Sequence, residues 1–191
     1  MSNAPLILGF DTSAAHCAAA LVRGDTVLAS TGEEMARGQA ERLMGLLEEL
    51  LAAGDVTWAD LSAIAVGVGP GNFTGIRIGV SAARGLALGL GIPAYGISGF
   101  VSRGRLAPPG ARVYIPAPRD MAYVLDGDTP ALMPASDIAN PAPQPTPSAL
   151  ARAIAEAGVA QWPAPAPPPA PLYIKPPDAA PARDAPPLIL P

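Results

Sequence analysis

The hydrophobic positions in the first hundred residues predict three strands followed by alternating helices and strands. Gly24-Asp25 has the composition of a hairpin turn between the second and third strands. Leucines recur every three or four residues between Ala36 and Ala53, which indicates an amphipathic helix, and a second helix is predicted from about Thr74 to Leu90. This order predicts an α/β fold, a mixed sheet with helices packed on it. The predicted strands span residues 6–10, 17–22, 26–30, 63–68 and 94–97.

The composition changes near Ala107. Only three of the 25 prolines precede this residue, and the other 22 follow it. Because proline fixes φ and lacks a backbone N–H, we expect only short strands and helices after it, with extended connectors at 141–147 and 163–171. We therefore divide the chain into a first lobe over 1–98 and a smaller proline-rich lobe over 99–191.

Charge and cysteine content narrow the class of protein. The net charge is -4 and the chain has no basic run, which argues against direct binding of nucleic acid. The single cysteine, Cys17, rules out an internal disulfide and fits a reducing compartment. The sequence shows neither a signal-peptide pattern nor an apolar run of about 20 residues, so we expect a cytoplasmic protein.

Two polar or glycine-rich segments follow predicted strands. Asp11-Thr12-Ser13 could face a phosphate or a metal, but such residues more often satisfy the backbone donors of their own turn. Gly69-Pro70-Gly71-Asn72 precedes the second helix, which Thr74 is placed to cap. This turn could bind an anion or permit tight packing, and it lacks the Lys-Ser/Thr ending of a Walker phosphate loop. The candidate anion or nucleotide loop comprises Asp11, Thr12, Ser13, Gly69, Gly71 and Asn72.

Three segments together resemble the TsaB (YeaZ) family, a glycoprotease-like paralogue of TsaD. These are residues 7–13 (Ile-Leu-Gly-Phe-Asp-Thr-Ser), residues 69–79 (Gly-Pro-Gly-Asn-Phe-Thr-Gly-Ile-Arg-Ile-Gly) and Gly85-Leu86-Ala87. Residues 171–177 are similar to the closing segment of that family. The resemblance implies an actin-like ATPase fold of the ribonuclease-H-like class, in two lobes with the second reduced.

The resemblance also implies a non-catalytic role in forming N6-threonylcarbamoyladenosine in tRNA. The catalytic paralogue TsaD uses a metal held by two histidines and an aspartate. This chain has one histidine, His16, and Gln39 stands where relatives often carry another. The second lobe has Pro116-Ala117-Pro118-Arg119 where the family tends to have Asp-Ala-Arg. We therefore predict no catalytic residue and no metal site, with His16 partly exposed and Cys17 a buried thiol on the opposite strand face.

The family pairs the helices of its first lobe with a TsaD-type catalytic subunit or with a second copy. The resemblance implies that partner, a TsaE-type ATPase in the same assembly, only indirect contact with tRNA, and a nucleotide only in the assembled complex. Gly75 and Gly79 could approach a partner helix or equally pack on their own sheet. A charged residue at Leu47 or Val80 is expected to abolish partner binding in a folded monomer. The candidate interface comprises Leu43, Leu46, Leu47, Leu50, Ile76, Gly79, Val80, Ala83 and Leu86.

Two other functions stay open from the residues. One is an ATP-binding, kinase-like enzyme of the same fold, suggested by the polar turn and the glycine-rich turn, although the second lobe shows no further phosphate loop. The other is an M22-type peptidase, which would need a metal or a nucleophile that the sequence does not offer. The sequence does not distinguish a monomer from a homodimer.

Overall fold

The computed structural model describes residues 4–174, which form two sheets and four α-helices. Within these residues, every helix is too short or too polar to span a bilayer. Short 3₁₀ turns lie at Trp58–Asp60 and Ala135–Asp137. In chain order the elements are β1 (Leu6–Asp11), β2 (His16–Arg23), β3 (Thr26–Glu34), α1 (Gln39–Ala53), β4 (Ala63–Gly67), α2 (Phe73–Leu90), β5 (Ala94–Ile97), α3 (Gly99–Gly104), β6 (Ile115–Ala117), β7 (Met121–Asp126), β8 (Thr129–Pro134) and α4 (Pro147–Gln161).

The first sheet is mixed, as the hydrophobic pattern predicts. Its strand order is β3-β2-β1-β4-β5. β1 pairs with β2 antiparallel and with β4 parallel, and β4 pairs with β5 parallel. The hairpin between β2 and β3 turns at Gly24, which adopts a positive φ of 56°. All five predicted strands are therefore confirmed, although β3 continues four residues beyond its predicted end.

Both faces of this sheet are covered by helices. Leu8 and Phe10 of β1 belong to a core cluster with residues of α1 and α2. Ile7, on the opposite face of the same strand, packs with Ile154 of α4 and with Tyr95 of β5. Strands buried on both sides must be apolar at every position, which is why β1 reads as a continuous apolar run.

Helix α4 was not predicted, because its proline-rich surroundings argue against regular structure. The helix nevertheless has 15 residues and contacts all five strands of the first sheet. Pro147 occupies the first turn, where a missing N–H costs nothing, and the Thr146 side chain accepts a hydrogen bond from Ala149 N. Residues 147–161 therefore belong to the core of the first sheet rather than to a separate second lobe.

The second sheet is small and antiparallel, in the order β6-β7-β8. Ala122 and Val124 of β7 form a minor cluster with Ile138. The predicted connectors at 141–147 and 163–171 are free of strands, and the latter ends where Leu172 N donates to Val68 O over 2.8 Å. The family-like closing segment at 171–177 lies partly outside the described residues.

The predicted partner-binding side chains on α1 and α2 need a correction. Leu47 is completely buried and Val80 is 4% exposed, so both face the sheet of their own chain. The remaining members of the set are also buried, except Leu86, which is partly buried against the same core cluster. One sheet face covers both apolar stripes because α1 and α2 lie side by side on it. The residues corrected in this way are Leu43, Leu46, Leu47, Leu50, Ile76, Gly79, Val80 and Ala83.

Candidate functional site between the two sheets

The polar turn after β1 satisfies its own hydrogen-bonding groups. Asp11 is 1% exposed, and its Oδ2 accepts hydrogen bonds from His16 Nε2 over 2.7 Å and from Ser13 Oγ over 3.0 Å. Its Oδ1 accepts from Ser13 N over 3.3 Å. Thr12 Oγ1 donates to Gly75 O over 2.7 Å. These bonds match the interpretation in which the turn satisfies its own donors.

Asp11 stays ionised despite its burial. Burial alone would raise the pKa of this carboxyl, but the hydrogen bond from His16 and its charge, the charge of Arg103 and the Ser13 hydroxyl together lower the pKa below its ordinary value. Opposite charges and donors favour the charged form. The turn therefore holds a fixed negative charge that His16 contacts directly.

His16 and Cys17 begin β2 and point in opposite directions. His16 is 7% exposed and lines a cavity, so the expectation of a partly exposed histidine is wrong: Asp11 draws the ring inward. Cys17 is fully buried in the cluster under α1, as predicted. Burial, with the charge of Glu33, raises the pKa of the Cys17 thiol to about 11, which makes it a poor nucleophile at neutral pH.

The glycine-rich loop packs tightly against the polar turn. Asn72 N donates to Ser13 O over 2.7 Å. A Cβ on Gly71 would collide with the carbonyl oxygen of Ser13, and one on Gly75 with that of Thr12. Close approach of backbone to backbone therefore explains these two glycines.

The helix cap predicted at Thr74 is wrong. Asn72 is the N-cap of α2, and its Oδ1 accepts from Gly75 N over 2.9 Å. Asparagine is at least as effective an N-cap residue as threonine. The helix therefore begins at Phe73, one residue before its predicted start.

A cavity of about 630 Å³ lies between the polar turn and the second sheet. Three of the six predicted anion-loop residues line it: Ser13, Gly71 and Asn72. The other three, Asp11, Thr12 and Gly69, are buried outside the lining. The second-sheet side of the lining includes Ile115, Pro116, Ala117, Pro118 and Tyr123.

Arg103 of α3 also lines this cavity, and no sequence pattern predicted its role there. It is 8% exposed, and burial lowers the pKa of its guanidinium, while the charge of Asp11 opposes that shift. Its position follows from the packing of α3 on α4, which sequence pattern does not specify. Among residues 4–174 no group of three or more His, Cys, Asp or Glu side chains is placed to hold a metal ion.

The mixed five-stranded sheet with helices on both faces defines an α/β protein of the actin-like, ribonuclease-H-like class. Two solved structures share this fold. One is described as an uncharacterized protein with similarity to peptidase YEAZ from Pseudomonas aeruginosa; it covers 90% of this chain and 100% of its own, with a TM-score of 0.71 at 24% identity. The other, YeaZ from Pseudomonas aeruginosa, covers 83% and 93%, with a TM-score of 0.64 at 26% identity.

Residues 27–130 match the family described as "TsaD: tRNA N6-adenosine threonylcarbamoyltransferase". The Escherichia coli (strain K12) protein named tRNA threonylcarbamoyladenosine biosynthesis protein TsaB is 39% identical over 92 residues, which is 48% of this chain. The chain belongs to the TsaB (YeaZ) family, which carries this TsaD-like domain. The aligned part spans 39% of the length of the Escherichia coli relative.

Proposed function

We propose that the chain is a non-catalytic subunit of the complex that forms N6-threonylcarbamoyladenosine in tRNA, where it binds a TsaD-type catalytic subunit. The observation that carries the proposal is the 39% identity to a relative named as a biosynthesis protein for this nucleoside. A TsaE-type ATPase belongs to the same proposed assembly. Contact with tRNA is then left to the partners, in keeping with the net charge of -4.

A lack of metal-binding histidines supports the non-catalytic role. His16 is the one histidine in the 191 residues, and its Nε2 is engaged by Asp11. The resemblance implies that the catalytic paralogue needs two histidines for its metal. Cys17 is buried and its thiol has a raised pKa, so it offers no nucleophile in place of a metal.

The outer sides of α1 and α2 supply the docking surface of this proposal. Leu88 of α2 is 86% exposed, the highest value among the exposed large apolar side chains of the described residues, and Met44 of α1 is 40% exposed. Gly85 and Gly89 flank Leu88, and a Cβ at either would meet nothing within 4 Å. A partner helix could therefore approach the backbone of α2 closely while it covers Leu88.

The docking surface can be tested with exposed-residue variants. We expect Leu88→Glu and Met44→Glu to abolish co-purification with the TsaD-type subunit, because each buries a charge in the contact. Leu125→Glu, on a leucine of β7 that is 38% exposed and so comparable to Met44, is the matched control and should bind normally. Leu47 and Val80 are unsuitable, since a charge there would disrupt the chain's own core. If the Leu88→Glu, Met44→Glu double variant is folded, as judged by circular dichroism, and still binds normally, this surface is not the docking surface.

The function itself is tested by reconstitution. Purified TsaD-type subunit, TsaE-type ATPase, threonylcarbamoyl-adenylate and tRNA are assayed for the modified nucleoside with and without this chain. We expect modification to depend on the chain, and the chain alone to give none. Modification at an equal rate without the chain, or turnover by the chain alone, would contradict the proposal.

A further inference from the structure

Arg103 carries a buried positive charge without a carboxylate partner. It is 8% exposed, and among residues 4–174 no acidic oxygen lies within 4.0 Å of its guanidinium nitrogens. Within the described residues its guanidinium makes two hydrogen bonds, and both are long: Nη1 donates to Gly99 O over 3.4 Å, and Nε donates to Gln144 Oε1 over 3.5 Å. Buried charges in proteins are normally paired or bind a ligand.

The negative charge of Asp11 acts on Arg103 without a hydrogen bond between them. The oxygens of Asp11 already accept hydrogen bonds from other residues. Oδ2 accepts from His16 and Ser13, and Oδ1 accepts from Ser13 N. The guanidinium has five N–H donors in a planar fork and remains charged in proteins. Arg103 therefore retains donors that no carboxylate of the described chain takes up.

The donors of Arg103 lie at a cavity whose volume and lining suit a small organic ligand. The space of about 630 Å³ is within the range of small-molecule sites. Its lining combines Arg103, Asn72 and Gln144 with an apolar wall from the second sheet, which includes Ile115, Ala117 and Tyr123, and from Leu150 of α4. A few polar groups at one part of an apolar cavity are typical of sites that bind a small organic molecule by a polar head.

We propose that this cavity binds a small organic anion, with a phosphate or carboxylate group paired to Arg103 and an apolar body against β6 and β7. The planar guanidinium matches either head group with two parallel hydrogen bonds. Glu34 lines the same cavity and Asp11 lies behind it, so their charges disfavour a long polyphosphate. The expected ligand is therefore a monophosphate or a monocarboxylate with an aromatic or aliphatic body.

Titration calorimetry of the full chain with phenyl phosphate, benzoate, inorganic phosphate and ATP, at constant ionic strength, tests the proposal. We expect phenyl phosphate or benzoate to bind more tightly than inorganic phosphate and ATP, and which of the two binds identifies the head group. Arg103→Gln should weaken this binding by about tenfold to a hundredfold, the value of a hydrogen-bonded charge. Arg84→Gln, at an exposed arginine of α2, is the matched control and should bind as the parent does. Equal affinity of the Arg103→Gln and parent proteins would overturn the proposal.

Nuclear magnetic resonance covers the case in which Arg103→Gln does not fold. In the parent protein, phenyl phosphate should shift the Arg103 Nε–Hε signal and the amide signals of Ser13, Gly71 and Asn72. Arg103→Lys keeps the charge without the fork, so it should bind with intermediate affinity. Shifts confined to other arginines would show that the anion binds elsewhere, and the absence of any shift at millimolar ligand would show that it does not bind. Either result would contradict the proposal.

Discussion

At the scale of single residues, Asp11 organises the side chains of the cleft. Its carboxylate has lost nearly all contact with water, and three hydrogen bonds from Ser13 and His16 replace that hydration. The same bonds engage the Asp11 carboxylate and the His16 imidazole, which a catalytic site would need to leave available. His16 is thus held in a fixed orientation by Asp11, which suits a structural role for the pair.

Replacing this carboxylate tests its contribution. The pKa of Asp11 is lowered in the folded chain, so its stabilisation is complete above the ordinary value of 3.8 and is lost as the pH falls through the lower folded pKa. We expect Asp11→Asn to lower the free energy of unfolding by about 2–4 kcal/mol at pH 7, with a smaller deficit below pH 3.8. Denaturant titrations at pH 7 and pH 3 measure both values. Asp25→Asn, in an exposed turn, is the control, and a deficit independent of pH would contradict the assigned charge.

The residue-level interpretation of the polar turn after β1 succeeded because local chemistry decides its hydrogen bonds, whereas the cap predicted at Thr74 was two residues from the observed cap, Asn72. The Asp11-Thr12-Ser13 turn bonds to itself because short polar side chains reach their own backbone. The burial of Arg103 depends instead on elements that are far apart in the sequence. Arg103 in particular contacts Gln144, 41 residues later, and no local pattern specifies that meeting.

At the scale of elements, α2 contains two kinds of glycine. Gly75 and Gly79 face the polar turn, where a Cβ on Gly75 would collide with Thr12 O and one on Gly79 would lie 2.8 Å from Thr12 Oγ1. Gly85 and Gly89 have open space at the same positions. The first pair lets the helix approach its own sheet, which decides between the two roles that the sequence left open for Gly75 and Gly79.

Alanine substitutions distinguish these two kinds of glycine. Gly75→Ala should lower the free energy of unfolding by about 2 kcal/mol, because the backbone of Thr12 must move. Gly85→Ala should raise it by about 1 kcal/mol, since alanine favours the helix and nothing obstructs its methyl group. Chemical denaturation of both variants measures the opposite signs. A Gly75→Ala protein as stable as the parent would show that the helix does not need this close approach.

Predictions of the elements were accurate in the first half because apolar runs and an amphipathic stripe decide strands and helices there. The strand Ala94–Ile97 was predicted with its observed ends, whereas α1 begins at Gln39 rather than Ala36. In the second half, the prolines obscured α4. Pro147 sits where proline is tolerated, and six of the 14 helix residues that follow it are alanine, with the buried apolar side chains facing the sheet.

At the scale of the whole molecule, α4 joins the two halves of the chain into one core. Gly9 of β1 lies so close to α4 that a Cβ there would be 2.6 Å from Ala155 N. Ala151 and Ala155 pack on Ala18, Ala20 and Val22 of β2. The helix that covers this face of the first sheet therefore begins at Pro147, some 50 positions after Ile97, where the last strand of the sheet ends.

This arrangement predicts that residues 1–98 do not fold alone. Without α4, one face of the sheet would expose Ile7, Tyr95 and Ile97, which are fully or almost fully buried in the intact chain. We expect this fragment to bind a hydrophobic dye and to unfold without a cooperative transition, as chains without fixed packing do. Circular dichroism and dye fluorescence measure both properties.

A matched fragment separates the contribution of α4 from that of the second sheet. Residues 1–98 joined to 145–174 by a flexible linker carry the helix but lack β6, β7 and β8. If α4 covers the open face, this fragment should regain a cooperative transition and release the dye, because Ile154 again packs against Ile7 and Tyr95. A cooperative fragment 1–98, or a linked fragment that stays noncooperative, would show that the sheet obtains its stability elsewhere.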